Sequence, residues 1–211
     1  MDEHTNLIYL FVLQLKACSS HHPTEQVSSA PAPAPASLEG TERPGCSARV
    51  LALLQRHACS YGTLEHAATR TCEESAAVRG VEVASGAKAM LLKCSKPLPH
   101  GSPYLLAVLS AARKADLKAL RAALGQKSVS LASVEDVDRL TGCIPGAVPP
   151  FGSLFGAASE VQTYADPSIL TRHSINFNCG LQTLSVLGLP VADYVRVERP
   201  IELCFAAPEN A

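Results

Sequence analysis

The sequence contains no tryptophan, and only 5% of its 211 residues are aromatic. Its core must therefore be built mainly from Ala, Val, Leu and Ile, within a hydrophobic fraction of 47% that is ordinary for a soluble globular protein. A chain of this length is sufficient for one well-packed domain, and length alone argues against two full ones.

An excess of charge of one sign is also absent, because the formal net charge is -1. Proteins that hold nucleic acid over many phosphates usually have a strongly basic balance, since each neutralised phosphate releases counterions. Any contact with RNA must therefore come from a local basic patch, and we expect such binding to be modest and sensitive to salt.

Common metal-binding and catalytic motifs are missing as well. The sequence has no C-x-x-C pair, no zinc-like spacing of histidines around its cysteines and no G-x-S-x-G elbow. We therefore predict neither a metal nor a cofactor. A chain with a full core does not need disulfides, so the cysteines are expected to be reduced thiols, mostly buried, in a cytoplasmic protein. They lie at positions 18, 46, 59, 72, 94, 143, 179 and 204.

The apolar segment at residues 7–15 (LIYLFVLQL) is too short to cross a bilayer, which requires about 20 apolar residues. It has the length of a signal-peptide core, but Asp2, Glu3 and His4 precede it instead of basic residues. An apolar strand or helical turn, or an unstructured extension, is therefore favoured, and no membrane association is expected.

Residues 19–45 contain the run SSAPAPAPAS, and alternating Ala-Pro favours extended polyproline geometry that cannot form a core. This composition predicts three parts of the chain. Residues 1–45 are an extension with an Ala-Pro-rich linker, expected to be disordered, residues 46–205 form the domain, and residues 206–211 form a tail.

Hydrophobic periodicity and capping residues predict helices and strands in mixed order. Thr71 and Glu74 form a capping box for a helix that ends at Gly80, and Ser133 caps another that ends before Gly142. Further helices are predicted at residues 50–57 and 116–124, and strands at 88–94, 104–110, 128–132, 161–165, 174–178 and 183–187. Since helices and strands do not alternate regularly, the pattern favours a mixed, curled or barrel-like sheet with helices packed around it.

Residues 141–156 (TGCIPGAVPPFGSLFG) contain four glycines and three prolines. A loop of this composition is permissive in some places and rigid in others, and it can bring backbone N–H and C=O groups to a ligand. Composition alone also allows a complicated turn without any ligand.

The order of residues resembles the YbaK/ProX family, which comprises aminoacyl-tRNA editing domains of the prolyl-tRNA synthetase insertion type. Gly146 to Pro150 is similar to the family's G-x-x-x-P element, and residues 86–92 (GAKAMLL) look like the strand that carries its functional lysine. Residues 175–185 look like its closing strand, and residues 190–193 like its last short helix. The resemblance extends over residues 47–200 and implies a YbaK/ProX-like α+β fold.

The resemblance implies a trans-editing deacylase that serves translation fidelity by hydrolysing the ester of mischarged tRNA, with Ala-tRNA(Pro) favoured and Ser- or Thr-tRNA as further candidates. Lys88 would bind phosphate or ribose oxygens, and Gly146 and Pro150 would shape the catalytic loop, without a covalent intermediate. Lys93, on the other face of the strand, is expected to be a solvated edge charge. The substrate-binding residues implied are Cys143, Ile144, Ala147, Val148, Phe151, Gly152, Asn176, Asn178 and Gly180. A strand-edge role for Lys88, turn roles for the asparagines and core packing for Cys143 and Ile144 remain alternatives.

The partner implied is the acceptor end of a mischarged tRNA, with an aminoacyl-tRNA synthetase as a further candidate and a monomer or homodimer as the assembly. The predicted tRNA-binding residues are Arg113, Lys114, Lys118 and Arg121, although a solvated helix face would explain the same charges. Two other functions stay open. One is a non-catalytic tRNA-binding or docking module, and the other is a hydrolase that uses a cysteine, which a thiol alkylator would reveal.

Overall fold

A computed structural model describes residues 45–156 and 160–208. The extension predicted over residues 1–45 lies outside the described residues except for Gly45, and so do residues 209–211 of the predicted tail. The described ranges contain eight strands and six α-helices. None of these helices has the length and hydrophobicity that crossing a bilayer requires.

A five-stranded sheet has β2 (Ala87–Cys94) and β3 (Tyr104–Ser110) near its centre, paired in antiparallel fashion as their apolar runs predict. The strand β4 (Val129–Leu131) pairs with the other side of β2, while β5 (Gln162–Ala165) and β8 (Ile201–Glu202) continue the sheet beyond β3 in parallel. Every residue of β3 is buried, which is the burial expected of a continuous apolar run with both faces covered.

A second sheet has three antiparallel strands, β1 (Gly62–Glu65), β7 (Leu184–Pro190) and β6 (Ser174–Leu181), in the order β1-β7-β6. One parallel bridge joins Asn176 of β6 to Gly86, the residue immediately before β2. The mixed α/β architecture with helices around the strands is therefore confirmed. The strands form two sheets joined at one point.

Four of the six helices lie where local patterns predict them, whereas the short helix at Pro167–Leu170 was not predicted. The six are α1 (Cys46–Arg56), α2 (Cys72–Arg79), α3 (Leu117–Ala123), α4 (Val134–Thr141), α5 (Pro167–Leu170) and α6 (Val191–Glu198). The capping box of α2 is complete, because Thr71 accepts from the Glu74 backbone and the Glu74 side chain accepts from the Thr71 backbone. Ser133 caps the first turn of α4 through its side chain alone, which accepts from the backbone of Asp136.

Two hydrophobic clusters cover the faces of the five-stranded sheet. The main core lies between the two sheets and includes residues of α1, α4 and α6. Phe151 packs edge-on against both Phe177 and Tyr194, with ring centroids 5.7 and 5.5 Å apart, so these few aromatics lie within the otherwise aliphatic core. On the opposite face, Leu120 of α3 and Phe205 cover β2 and β3.

The expectation that Lys93 is a strand-edge charge is wrong, because β2 has a neighbour on both sides at this position. Lys93 pairs with Tyr104 on β3 and with Ser130 on β4. Its ammonium forms a 3.0 Å ion pair with Asp136, which also accepts from the Tyr104 hydroxyl at 2.8 Å. At the other end of the domain, backbone hydrogen bonding continues to Ala207, two residues beyond the predicted boundary at 205.

Candidate active site

A cavity of about 320 Å³ lies where α2, the start of β2 and the loop at residues 145–148 meet. Phe177 and Asn178 of β6, together with Gln182 in the turn that follows, complete its wall. Its volume falls at the lower end of the range for sites that bind small molecules. Of the predicted site residues, Lys88, Gly146, Val148 and Asn178 line this cavity.

Lys88 lies in the first half of β2 and is half-buried at the wall of the cavity. Its ammonium donates a hydrogen bond to the backbone carbonyl of Arg113. A neutral carbonyl fixes the position of the ammonium without neutralising its charge, and an ammonium has three N–H donors. Lys88 can therefore be held in place and still face a negatively charged oxygen in the cavity.

Gly146 has a φ of +84°, a backbone conformation that residues with a Cβ rarely adopt. Its carbonyl accepts a 2.8 Å hydrogen bond from Nδ2 of Asn178, and the carbonyl of Ala147 accepts from the backbone of Gly180 at 3.1 Å. The loop is thus tied to β6 through its backbone. This arrangement holds backbone groups of the loop in fixed directions beside the cavity.

Arg79, at the last turn of α2, lines the cavity, although no sequence motif pointed to it. Its Nη2 donates to Oδ1 of Asn178 at 2.6 Å, and its Nε donates to Oγ of Ser185 at 2.8 Å. The same Ser185 oxygen lies 2.7 Å from Nε2 of His66. Burial lowers the pKa of Arg79 below its ordinary value. A basic residue in the last turn of a helix normally complements the helix dipole, so its position gave no separate sign of a site.

The remaining wall comes from α2 and the residues just before it, which the sequence indicated only as a capped helix. Its polar part contains Thr69 and Ser75, whose hydroxyl oxygens are 2.8 Å apart, and Cys72 at the first position of the helix. Val81 and Met90 supply apolar surface nearby. The cavity lining therefore combines hydroxyl groups with apolar side chains.

Several predicted site residues within the loop at residues 141–156 are buried and lie outside the cavity lining. Phe151 belongs to the main core, and Gly152 packs so closely that a Cβ would lie 2.6 Å from Oγ1 of Thr163. Within this loop the chain passes between the cavity wall and the buried core within a few residues, so the buried residues anchor those that line the cavity. The buried members are Cys143, Ala147, Pro150, Phe151 and Gly152.

The other predicted residues outside the lining have separate positions. Ile144 is exposed, with 57% of its surface accessible. The Asn176 amide nitrogen donates to Oγ of Ser85, and its oxygen accepts from the backbone N–H of Gly188. Both polar groups of the side chain therefore have hydrogen-bond partners within the protein. A Cβ on Gly180 would lie 2.8 Å from that of Cys46, so this glycine permits close packing of α1 on β6.

Two further side chains hold the far end of the loop. Arg49 donates to the carbonyl of Leu154 at 2.7 Å and to that of Thr141 at 2.9 Å. Glu198, which is 7% exposed, accepts from Oγ of Ser153 at 2.6 Å, from the Ser153 backbone at 3.2 Å and from the Thr163 hydroxyl. Burial raises the pKa of Glu198, and its hydrogen bonds offset only part of that rise.

The predicted tRNA-binding residues lie on one continuous segment that starts beside the cavity. Arg113 is half-buried, its carbonyl accepts from Lys88 and its guanidinium donates to the carbonyl of Ala207. Lys114, Lys118 and Arg121 are exposed on the segment and on α3. This basic segment, residues 113–121, therefore leads away from Lys88 along the surface.

The seven described cysteines carry free thiols. Cys46, Cys94, Cys143 and Cys179 are buried, and a hydrogen bond to Cys143 together with burial raises the pKa of Cys46. Of the described cysteines, Cys72 lies in the cavity lining. It is consequently the residue through which the cysteine-dependent alternative is best tested.

A family model described as the aminoacyl-tRNA editing domain matches residues 66–196. The multifunctional Ser/Thr-tRNA deacylase ProXp-y of Escherichia coli (strain K12) is 36% identical over 154 residues, which cover 72% of this chain and 87% of that protein. The prolyl-tRNA editing protein ProX of Acetoanaerobium sticklandii is 29% identical over 126 residues, covering 60% of this chain and 74% of that protein.

A solved structure of a candidate trans-editing enzyme for prolyl-tRNA synthetase superposes with a TM-score of 0.64 at 22% identity. The match covers 80% of this chain and all of that structure. At this level of identity the likeness concerns the fold.

Proposed function

Because this chain belongs to the aminoacyl-tRNA editing domain family, we propose that it is a trans-acting deacylase that hydrolyses the ester of mischarged tRNA. The observation that carries the proposal is the meeting of Lys88 with the backbone of the 145–148 loop at one cavity. An editing site must hold the terminal adenosine, polarise the ester carbonyl and admit water. We expect this to take place in the cytoplasm, where aminoacyl-tRNAs are used.

In the proposed reaction, water adds to the ester carbonyl and the bond to the ribose oxygen breaks, leaving the amino acid and a free hydroxyl on the tRNA. Lys88, fixed by the carbonyl of Arg113, orients phosphate or ribose oxygens of the acceptor end. Backbone N–H groups of the loop stabilise the developing oxyanion, an effect worth about 3 kcal/mol per donor in other acyl-transfer sites.

For the amino acid, we propose serine and threonine, with alanine on tRNA(Pro) as the alternative. The E. coli relative is named for Ser/Thr-tRNA deacylation. The hydroxyls of Thr69 and Ser75 retain acceptor capacity in the wall of the cavity, which suits a side chain that itself carries a hydroxyl. Alanine would be admitted by size alone, and a site that depends on hydrogen bonds discriminates against a group that lacks them.

For the tRNA, we propose that the basic segment at residues 113–121 contacts the acceptor stem while the ester occupies the cavity. The carbonyl of Arg113 already holds Lys88, so the segment and the site share a fixed geometry. Phosphate contacts of this kind position the duplex without reading its sequence. The overall charge of -1 means that such a local patch must supply the attraction.

The test is hydrolysis of labelled Ser-, Thr-, Ala- and Pro-tRNA by the wild type and by Lys88→Ala. We expect rapid loss of Ser- or Thr-tRNA that the substitution abolishes. Lys93→Ala is the matched control, because this lysine lies on the opposite face of the same strand and pairs with Asp136. Cys72→Ser should retain activity, since the proposed mechanism needs no thiolate.

Three outcomes would contradict the proposal. If the wild type cleaves no ester faster than buffer, the protein is not a deacylase for these substrates. If Lys88→Ala keeps full activity, Lys88 does not have the role assigned to it. If Cys72→Ser is inactive with its fold intact, the cysteine-dependent alternative replaces this mechanism.

A further inference from the structure

The guanidinium of Arg79 is half-buried, and it donates hydrogen bonds to the neutral side chains of Ser185 and Asn178. In the ranges 45–156 and 160–208, no carboxylate forms an ion pair with it. Removing a cation from water without a charged partner is costly, so this placement needs compensation from well-oriented hydrogen bonds. Those bonds connect the guanidinium, through Asn178, to the loop at the cavity.

The direction of each bond follows from the donors available. A guanidinium can only donate, so Oδ1 of Asn178 must accept from Arg79 at 2.6 Å. The Nδ2 group of Asn178 is then left to donate to the carbonyl of Gly146 at 2.8 Å. Because a cation polarises the amide from its oxygen side, it strengthens the N–H that holds the loop.

The other edge of the guanidinium is fixed in the same way. Oγ of Ser185 accepts from Nε of Arg79 and lies 2.7 Å from Nε2 of His66. Nδ1 of His66 donates to the carbonyl of Ala67 at 2.8 Å, because a carbonyl oxygen can only accept. Two bonds from different nitrogens fix the plane of the Arg79 side chain, which a single bond would not do.

We propose that Arg79 is a positioning residue for deacylation, which holds Asn178 and, through it, the carbonyl of Gly146 in the geometry that the aminoacyl group requires. The proposal rests on the deacylase function proposed above. Arg79 acts on the loop and Lys88 on the acceptor end, so loss of Arg79 lowers kcat while the KM for tRNA changes little. A misplacement near the reacting carbonyl of about 1 Å can cost on the order of 100-fold in rate.

The test is a double-mutant cycle with Arg79→Met, Asn178→Ala and the combined variant. We expect each single substitution to lower kcat about tenfold to 100-fold. Adding Arg79→Met to Asn178→Ala should change kcat by less than about twofold, because Arg79 acts through Asn178. If the two losses instead multiply, Arg79 acts independently on the substrate, for example by binding a phosphate, and the positioning role is wrong.

Two further variants sharpen the result. Arg79→Lys should remain impaired, because one ammonium cannot replace two bonds from different edges of a guanidinium, and full rescue by lysine would overturn the proposal. Arg172→Met is the matched control, since this exposed arginine donates to the carbonyl of Ser168, outside the cavity lining. Thermal melting of every variant shows that the fold is retained.

Hydrogen exchange of the backbone amides of Gly146, Ala147 and Val148 separates this inference from the proposed function. We expect faster exchange there in Arg79→Met and Asn178→Ala, and unchanged exchange in Arg172→Met. If the wild type deacylates no tRNA but exchange increases as expected, the deacylase function fails while the contact to the loop stands. If exchange does not change, Arg79 does not hold the loop.

Discussion

Glu198 offers the sharpest test of how the loop around the site is held, because its carboxylate is almost fully buried and accepts three hydrogen bonds. Oε1 accepts from the Ser153 backbone and from the Thr163 hydroxyl, and Oε2 accepts from the Ser153 hydroxyl. The hydroxyl of Thr163 accepts from the backbone of Gly152, so it must donate to Glu198. Glu198 therefore joins α6 to the loop and to β5.

The structure predicts different costs for two substitutions at this position. In Glu198→Gln, the amide oxygen can take the place of Oε1 and keep two bonds, and the Ser153 hydroxyl can rotate to accept from the new NH2 group. We expect a loss of about 1 kcal/mol in the free energy of unfolding. Glu198→Ala leaves three donors without their acceptor and removes buried volume, so we expect a loss of about 3–5 kcal/mol.

Stability as a function of pH should change in a defined direction. Burial raises the pKa of Glu198 in the folded state, so the folded protein binds a proton more tightly than the unfolded chain does. The contribution is fully present below the unfolded pKa and is lost as pH rises through the folded pKa. The advantage of wild type over Glu198→Gln should consequently be largest at low pH and decrease as pH rises.

Denaturant unfolding of the three proteins between about pH 4 and pH 8 measures both effects. The glutamine variant lacks the titrating group but keeps its shape, so the difference between it and the wild type isolates Glu198 from other carboxylates. The reasoning is refuted if alanine costs no more than glutamine, or if the wild-type advantage grows with pH.

The remaining predictions concern the loop backbone and the basic segment. Gly146→Ala places a Cβ at a φ of +84°, so we expect a loss of about 1–2 kcal/mol in unfolding free energy and a lower kcat. Gly101→Ala is the control, because Gly101 has a φ of +89° and no atom lies within 4 Å of the position that a Cβ would take. It should cost similar stability without loss of activity. Equal kcat values for the two variants would refute the role of the loop. Removing Lys118 and Arg121 should raise the KM for tRNA and reduce the slope of log affinity against log salt by about 0.7–0.9 per lost phosphate contact, whereas an unchanged slope would leave them as a solvated face.

Local features of the fold could be predicted because their chemistry acts over a few residues. The capping box of Thr71 and Glu74 and the stop at Gly80 depend on contacts within one turn of helix, and both occur as predicted. The second neighbour of β2 is β4, which lies some forty positions further along the chain, so no local pattern reveals this pairing. For this reason the sequence pattern suggests a strand edge for Lys93, although β4 covers it.

The same distinction applies to the candidate site. Resemblance of the loop and of two strands pointed to Lys88, Gly146, Val148 and Asn178, which line the cavity. It did not separate Val148 from its neighbour Ala147, because both belong to the main core and Val148 also lines the cavity. Arg79, His66 and Ser185 meet only after α2, β1 and β7 have packed, and each has an ordinary local explanation.

The loop at residues 141–156 is held from three directions, and this has a consequence for catalysis without a protein nucleophile. Asn178 donates a hydrogen bond to the carbonyl of Gly146, and Arg49 donates one to the carbonyl of Leu154. Glu198 accepts a hydrogen bond from the hydroxyl of Ser153. Backbone dipoles that are already fixed need no reorganisation as charge develops on the ester oxygen, which is where electrostatic stabilisation is most effective. If the proposed chemistry is correct, loosening any one of these contacts lowers kcat even where the residue lies outside the cavity. A variant such as Glu198→Ala should then lose activity at temperatures at which it is still folded.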